Sequence, residues 1–402
     1  MTRVFTLTSS LHDEKAVEAS TASFLSSIGL SVNDIQNDYS TYGSGGLDLV
    51  FVRTGGTEGI FLSLLPSLLE RSASPFYLLT SGASNSLAAS MEILSYLRQK
   101  GLKGEILHGS PSRIRRRITA LEAVEAARAT LTGMVLGVVG KPSDWLISSS
   151  FDRDEVESRL GIRLVDIPMD EVLEAYDKSE SSLTDAAIAV GTAAYEAPKS
   201  VQEYLPGAHR IYEALRKIIS SYGLNGFTIR CFDLLTAVRN TGCLALAKLN
   251  SEGFIAGCEG DVPAMLSMAV AKAFTKVSGF QANPSSIDPD TGEITFAHCT
   301  IPLDMVTRMS FDTHFESGIG VGIKGYFQEG PVTVLKLSGN LRRVFAEEGE
   351  LIRNQSSPNL CRTQIVVKLD SPEAAASLLT DPVGNHHVIV PGRLAEAFKA
   401  IL

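Results

Sequence analysis

The chain has 402 residues, too many for one ordinary hydrophobic core, so two or three domains are expected. Hydrophobic residues make up 44% and charged residues 20%, which excludes a disordered chain, and a formal net charge of -9 argues against nucleic acid as a partner. No stretch approaches the ~18 continuous apolar residues of a membrane span. The five scattered cysteines contain no CxxC, which fits a reducing cytoplasm rather than a zinc-finger framework.

In chain order, Val4 to Thr8 reads as a first strand, with nothing resembling a secretion signal around it. Helical spacing follows from Glu14 to Ile28. Leu47 to Val52 is a continuous apolar run, as in a parallel strand covered on both faces. Gly55-Gly56-Thr57-Glu58-Gly59 then turns into a helix; its amides suit an anion or sugar hydroxyl, but it matches no nucleotide-binding pattern. Phe76 to Leu79 and Glu105 to His108 are further strands, separated by a helix from Ser86 to Gln99. The basic cluster Arg113, Arg115, Arg116 and Arg117 precedes a helix from Ile118 to Thr130 and reads as a solvated helix start or a subunit contact.

The alternation restarts at Met134 to Val139. It continues through a strand at Arg163 to Ile167, helices at Glu171 to Tyr176 and Gln202 to Ser221, strands at Gly226 to Cys231 and Phe254 to Ala256, and an apolar helix at Val262 to Lys276. Strands alternating with helices predict parallel, doubly wound sheets. After Gly279 the texture changes to short β-type runs: Glu293 to His298, Ile319 to Ile323, Val332 to Leu337 and Thr363 to Leu369. A strand at His387 to Val390 and a helix at Leu394 to Leu402 follow. The expected architecture is α/β: two Rossmann-like or flavodoxin-like units, 1–132 and 133–278, followed by a β-rich, barrel-like domain, 279–402.

Four places carry chemistry. Gly257-Cys258-Glu259-Gly260-Asp261 lies at the carboxyl end of an apolar strand, where open α/β sheets hold ligands. Asp261 is explained as an N-cap, with Pro263 in the first turn, whereas Glu259 in such a crossing should be paired or metal-bound. His298 ends an alternating strand. His314 and Glu316 are two apart, which in a strand puts both on one face, as an ion pair or as part of a site. In Gly384-Asn385-His386-His387, adjacent histidines face opposite ways, so one of them is expected to point into any site. A glutamate with imidazoles suits manganese, iron, cobalt or zinc.

These segments resemble the L-fucose/L-arabinose isomerase family. Ala256 to Asp261 is similar to the segment whose glutamate binds the metal there. Phe296-Ala297-His298-Cys299 and Gly384-Asn385-His386 resemble segments supplying metal histidines. Thr54 to Glu58 and Thr313 to Gly318 also resemble family segments, and the motif order agrees along nearly the whole chain. The resemblance implies a cytoplasmic, homo-oligomeric (trimeric or hexameric), Mn2+-dependent aldose–ketose isomerase of a free sugar, such as L-fucose or a related deoxy-sugar or pentose. Its implied metal ligands are Glu259, His298 and His386, with Glu259 also transferring the proton and His387 the alternative ligand to His386. His314, Glu316 and His387 are the candidate sugar-binding residues. Where the family has a second metal-binding carboxylate, this chain has Asn283, with Asp288 or Asp290 as substitutes in a shifted loop. A relative of the same fold that binds sugar without turnover is therefore the alternative expectation.

Overall fold

The computed structural model describes residues 2–72, 75–180 and 198–402. It divides into two compact units, Met1–Ala126 and Ala127–Leu402.

The first unit holds a parallel sheet of β1 (Thr2–Leu7), β2 (Ile35–Gln36), β3 (Leu47–Val52), β4 (Phe76–Leu79) and β5 (Gly104–Leu107), in the order β2-β1-β3-β4-β5. All six residues of β3 are buried, as expected of a strand that is apolar at every position but Asp48. Its one acid, Asp48, is held by both forks of Arg3 at 2.7 and 2.8 Å. The arginine cluster does not precede its helix. The helix spans Pro111–Leu131 and contains all four arginines, because Ile114, Ile118 and Leu121 form one continuous buried stripe through them.

The second unit contains two sheets. β6 (Val135–Val139), β7 (Arg163–Ile167), β8 (Gly226–Ile229) and β9 (Ile255–Gly257) form a parallel sheet in the order β7-β6-β8-β9. Its core joins Val139, Phe227 and Ile229 to Ile211 and Leu215 of the helix Leu205–Tyr222, which ends at the left-handed Gly223.

The remaining strands are β10 (Phe280–Asp288), β11 (Glu293–His298), β12 (Val306–Asp312), β13 (Gly322–Phe327), β14 (Gly330–Leu337), β15 (Val344–Gln355), β16 (Thr363–Leu369) and β17 (His387–Pro391). Six of them close a barrel in the order β10-β11-β16-β15-β14-β17, while β12 and β13 pair separately. Phe280, Phe296, Val334, Ile365 and Ile389 fill the associated core. Two barrel strands escape the apolar pattern. β10 contains Pro284, which it accommodates at a register shift between Pro284 and Ser286. β15 carries Glu347 and Glu350, which pair with Lys399 and Arg393.

Candidate metal centre

Glu259 lies two residues beyond β9, at the carboxyl end of the parallel sheet. Its backbone is left-handed, φ 63°, and the next residue, Gly260, has φ 70°. A left-handed conformation is unfavourable for a residue with a Cβ and persists where surrounding contacts enforce it. Those contacts are present. The Glu259 carbonyl accepts the Ser143 amide at 3.0 Å, and the Gly260 amide donates to the Ile229 carbonyl at 2.9 Å. A Cβ on Gly260 would meet the Lys141 carbonyl oxygen at 2.7 Å. Gln281, from β10, accepts the Cys258 amide at 2.9 Å through Oε1 and donates Nε2 to the Cys258 carbonyl at 3.3 Å.

The barrel supplies the imidazoles by strand register. His298 is the last residue of β11, and His386 immediately precedes β17. β10 runs between these strands: Asn283 pairs with Ala297, and Ala282 pairs with His387. Asn283, His298 and His386 therefore come to one end of three adjacent strands. Glu259 Oε1 lies 3.4 Å from His386 Nε2 and 3.8 Å from His298 Nε2. The three ligand atoms lie within 4.8 Å of one another.

Each of the three is oriented by a further group. Trp145 Nε1 donates to Glu259 Oε2 at 2.7 Å. The Thr300 hydroxyl lies 3.0 Å from His298 Nδ1. His386 Nδ1 lies 2.8 Å from Asp261 Oδ2, whose other oxygen accepts the Ala264 amide and caps the helix Val262–Thr275. Asp261 also faces the Lys336 ammonium at 3.5 Å, and both side chains are buried.

Burial raises the Asp261 pKa, but Lys336 and His386 outweigh it and hold the carboxyl below its usual value. Burial likewise opposes charge on Glu259, yet the two imidazoles bring its pKa far below the carboxylate range. Burial lowers the His386 pKa, while Asp261 and Glu259 raise it further, to about 9.

The donor set fits a divalent cation. With Nδ1–H donated to Asp261, the His386 Nε2 lone pair points at an anionic oxygen, and Nε2 makes no well-formed hydrogen bond. Such an opposition is relieved by a proton or a cation between the two atoms. Asn283 Oδ1 is a second buried acceptor without a hydrogen-bond partner among the described residues. A carboxylate, two imidazoles and an amide oxygen are acceptable ligands for a borderline divalent ion, and a carboxylate behind a ligating imidazole is a usual support.

A pocket with about 470 Å³ of free space, mouth included, opens beside these groups. Glu259, Asn283, His298, His314 and Glu316 line it. His314 and Glu316 reach it from a turn after β12 rather than from a strand, because the chain reverses there through hydrogen bonds between His314 and Ile319 and between Gly318 and His314. His387 is not brought to the pocket. It faces the opposite way, 5.9 Å from the Phe296 ring and 5.5 Å from the Phe345 ring, and burial lowers its pKa to about 3. Asp288 and Asp290 sit in the exposed β10–β11 turn, where Asp288 accepts the amides of Asp290 and Thr291. The turn at Gly55–Gly59 joins β3 to the following helix in the first unit.

Sequence reasoning did not single out Trp145, Gln281 or Lys336. Trp145 carries one signal, since it is the chain's only tryptophan.

Fold and site together define a class: an α/β protein whose parallel sheet and closed barrel join at a carboxylate–imidazole centre fit for a divalent ion. Residues 148–277 match the family model described as the L-arabinose isomerase central domain. The chain is also 29% identical over 123 residues to a sulfoquinovose isomerase from Clostridium sp. (strain MSTE9), a match covering 30% of this chain and 26% of that protein. The chain thus spans about a quarter of that relative's length. These findings support an L-fucose/L-arabinose isomerase-like superfamily.

Proposed function

We propose that this chain is an aldose–ketose isomerase acting on an uncharged free sugar, with a divalent cation, manganese by family resemblance, held by Glu259, His298 and His386. The observation that carries the reading is the meeting of those three side chains within 4.8 Å at a ligand-sized pocket. The matched family and relative bear isomerase names. When bound, the cation supplies Lewis acidity toward the sugar oxygens at C1 and C2.

The chain's own residues do the rest. Glu259 removes the proton from one carbon and returns it to the neighbour, acting as base and then acid through an enediol. Trp145 holds the other Glu259 oxygen, and Asp261 holds the His386 ring. His314 and Glu316 offer hydrogen bonds to sugar hydroxyls. No Lys or Arg lines the pocket among the described residues, which favours L-fucose, a related deoxy-sugar or a pentose over a phosphorylated sugar.

The test is turnover of a free-aldose panel by purified protein with Mn2+. Glu259→Gln should lower the rate by ~10² or more. Absence of ketose across the panel, with the metal demonstrably bound, refutes the assignment. A sugar-binding relative without turnover is the second reading, favoured by Asn283 in the place of a second carboxylate. It predicts that sugar raises the melting temperature with no ketose formed.

A further inference from the structure

All five cysteines of the chain line the same pocket as Glu259. Cys299 makes side-chain contacts with Cys243 and Cys361, and Cys231 and Cys258 form a separate contacting pair. Cys231 lies two residues beyond β8 and Cys258 one beyond β9, and the parallel pairing of these strands, with Thr228 beside Gly257, brings their ends together. The two sulfurs are 3.1 Å apart. A disulfide needs ~2.05 Å, so closure takes a movement of about 1 Å. Both residues are buried against bulk solvent, at 7% and 3% exposure, and reagents reach them through the pocket they line.

We propose that Cys231 and Cys258 are a dithiol modification site, converted to a reversible disulfide by a peroxide entering the pocket. One sulfur attacks a peroxide oxygen, the O–O bond breaks, and a sulfenic acid and one water form. The second sulfur then attacks the sulfenic sulfur, the S–O bond breaks, and a second water leaves. The thiols together lose two electrons and two protons, which the peroxide gains, and an added dithiol reverses the reaction by exchange.

The disulfide acts on Glu259 through packing. Gln281 clamps the amide and the carbonyl of Cys258, so the movement falls on Cys231. Cys231 begins the helix Phe232–Ala237, and Phe232 packs edge-on against Trp145 with ring centroids 4.9 Å apart. The same indole donates to Glu259. Closing the bond therefore displaces Trp145 relative to the carboxylate. The sulfur chemistry stands apart from the isomerase reading, and only an effect on turnover rests on it.

The experiment treats the full-length protein with hydrogen peroxide, alkylates the remaining thiols, maps the peptides by mass spectrometry and records Trp145 emission. The expected result is a Cys231–Cys258 cross-linked peptide and a shift in emission, both reversed by dithiothreitol. Both should be lost in Cys231→Ser and, as an independent variant, in Cys258→Ser. Full alkylation of Cys231 and Cys258 under conditions that oxidise the more exposed Cys361, or a cross-link joining other cysteines instead, overturns the proposal. So does an emission shift that persists in either variant.

Discussion

Removing the carboxylate of Asp261 should destabilise the second unit, chiefly by stranding the buried Lys336 ammonium. In Asp261→Ala the helix Val262–Thr275 loses its N-cap, which costs ~1 kcal/mol. The Lys336 ammonium, whose side chain is 1% exposed, is left in the interior without its counter-charge, worth ~3–5 kcal/mol when one member of a buried pair is deleted. Allowing for relaxation, a loss of ~4 kcal/mol is expected. Lys336→Met replaces the ammonium by an apolar chain of similar length. Made in the Asp261→Ala background, it should restore ~2 kcal/mol or more, and the double-mutant cycle should show a coupling of that size. Asp261→Asn retains the cap while removing the charge, and so separates the two contributions. Urea unfolding of metal-free protein, followed through Trp145, reports on the right unit, because the only tryptophan lies within Ala127–Leu402. If the two single substitutions simply add, to within ~0.5 kcal/mol, the buried pair is not what Asp261 supports and the reasoning fails.

Two further substitutions probe the site. Trp145→Phe keeps a ring against Phe232 but removes the hydrogen bond to Glu259; with Trp145 half-exposed, ~1 kcal/mol, or about five- to tenfold in kcat, should be lost without change in melting temperature. Unaltered steady-state kinetics would remove Trp145 from the site. Asn283→Asp places a second carboxylate at the proposed metal centre and should tighten Mn2+ binding about tenfold, measured by calorimetric titration. Unchanged or weaker affinity would mean that residue 283 does not face the ion.

The parallel sheets were the legible part of this fold. β4 carries an unbroken apolar run and β3 one broken only by Asp48; in the barrel, β11 and β16 also end where their patterns end. β10 and β15 were hidden because their identity depends on long-range pairing rather than local pattern: one carries a proline at a bulge, the other the acids Glu347, Glu348 and Glu350. At the site, Glu259 stood out because a carboxylate in an apolar crossing needs a partner. His386 stood out by its Gly-Asn-His-His context, and the alternation rule separates it from His387. Lys336 was unreadable. It lies in β14 among Val334, Leu335 and Leu337, and its purpose appears only when a loop 75 residues away delivers Asp261 to it. The thiol pair was invisible for the same reason, since 27 residues separate two sulfurs that only strand pairing joins.

The site is built where two kinds of sheet meet, and each contributes what the other lacks. The parallel sheet ends in a loop free to adopt left-handed backbone at Glu259 and Gly260, which turns the carboxylate into the junction. Such a loop alone would hold Glu259 loosely. The barrel has fixed register, so β10, β11 and the start of β17 set Asn283, His298 and the adjoining His386 at one end. Two side-chain links then cross from barrel to loop: Gln281 clamps Cys258, and His386 holds Asp261. Both flank Glu259, one residue before it and two after. The strained glutamate is thus braced on either side by the same strands that carry its partners, so its position relative to His298 and His386 is set by barrel register rather than by the loop itself.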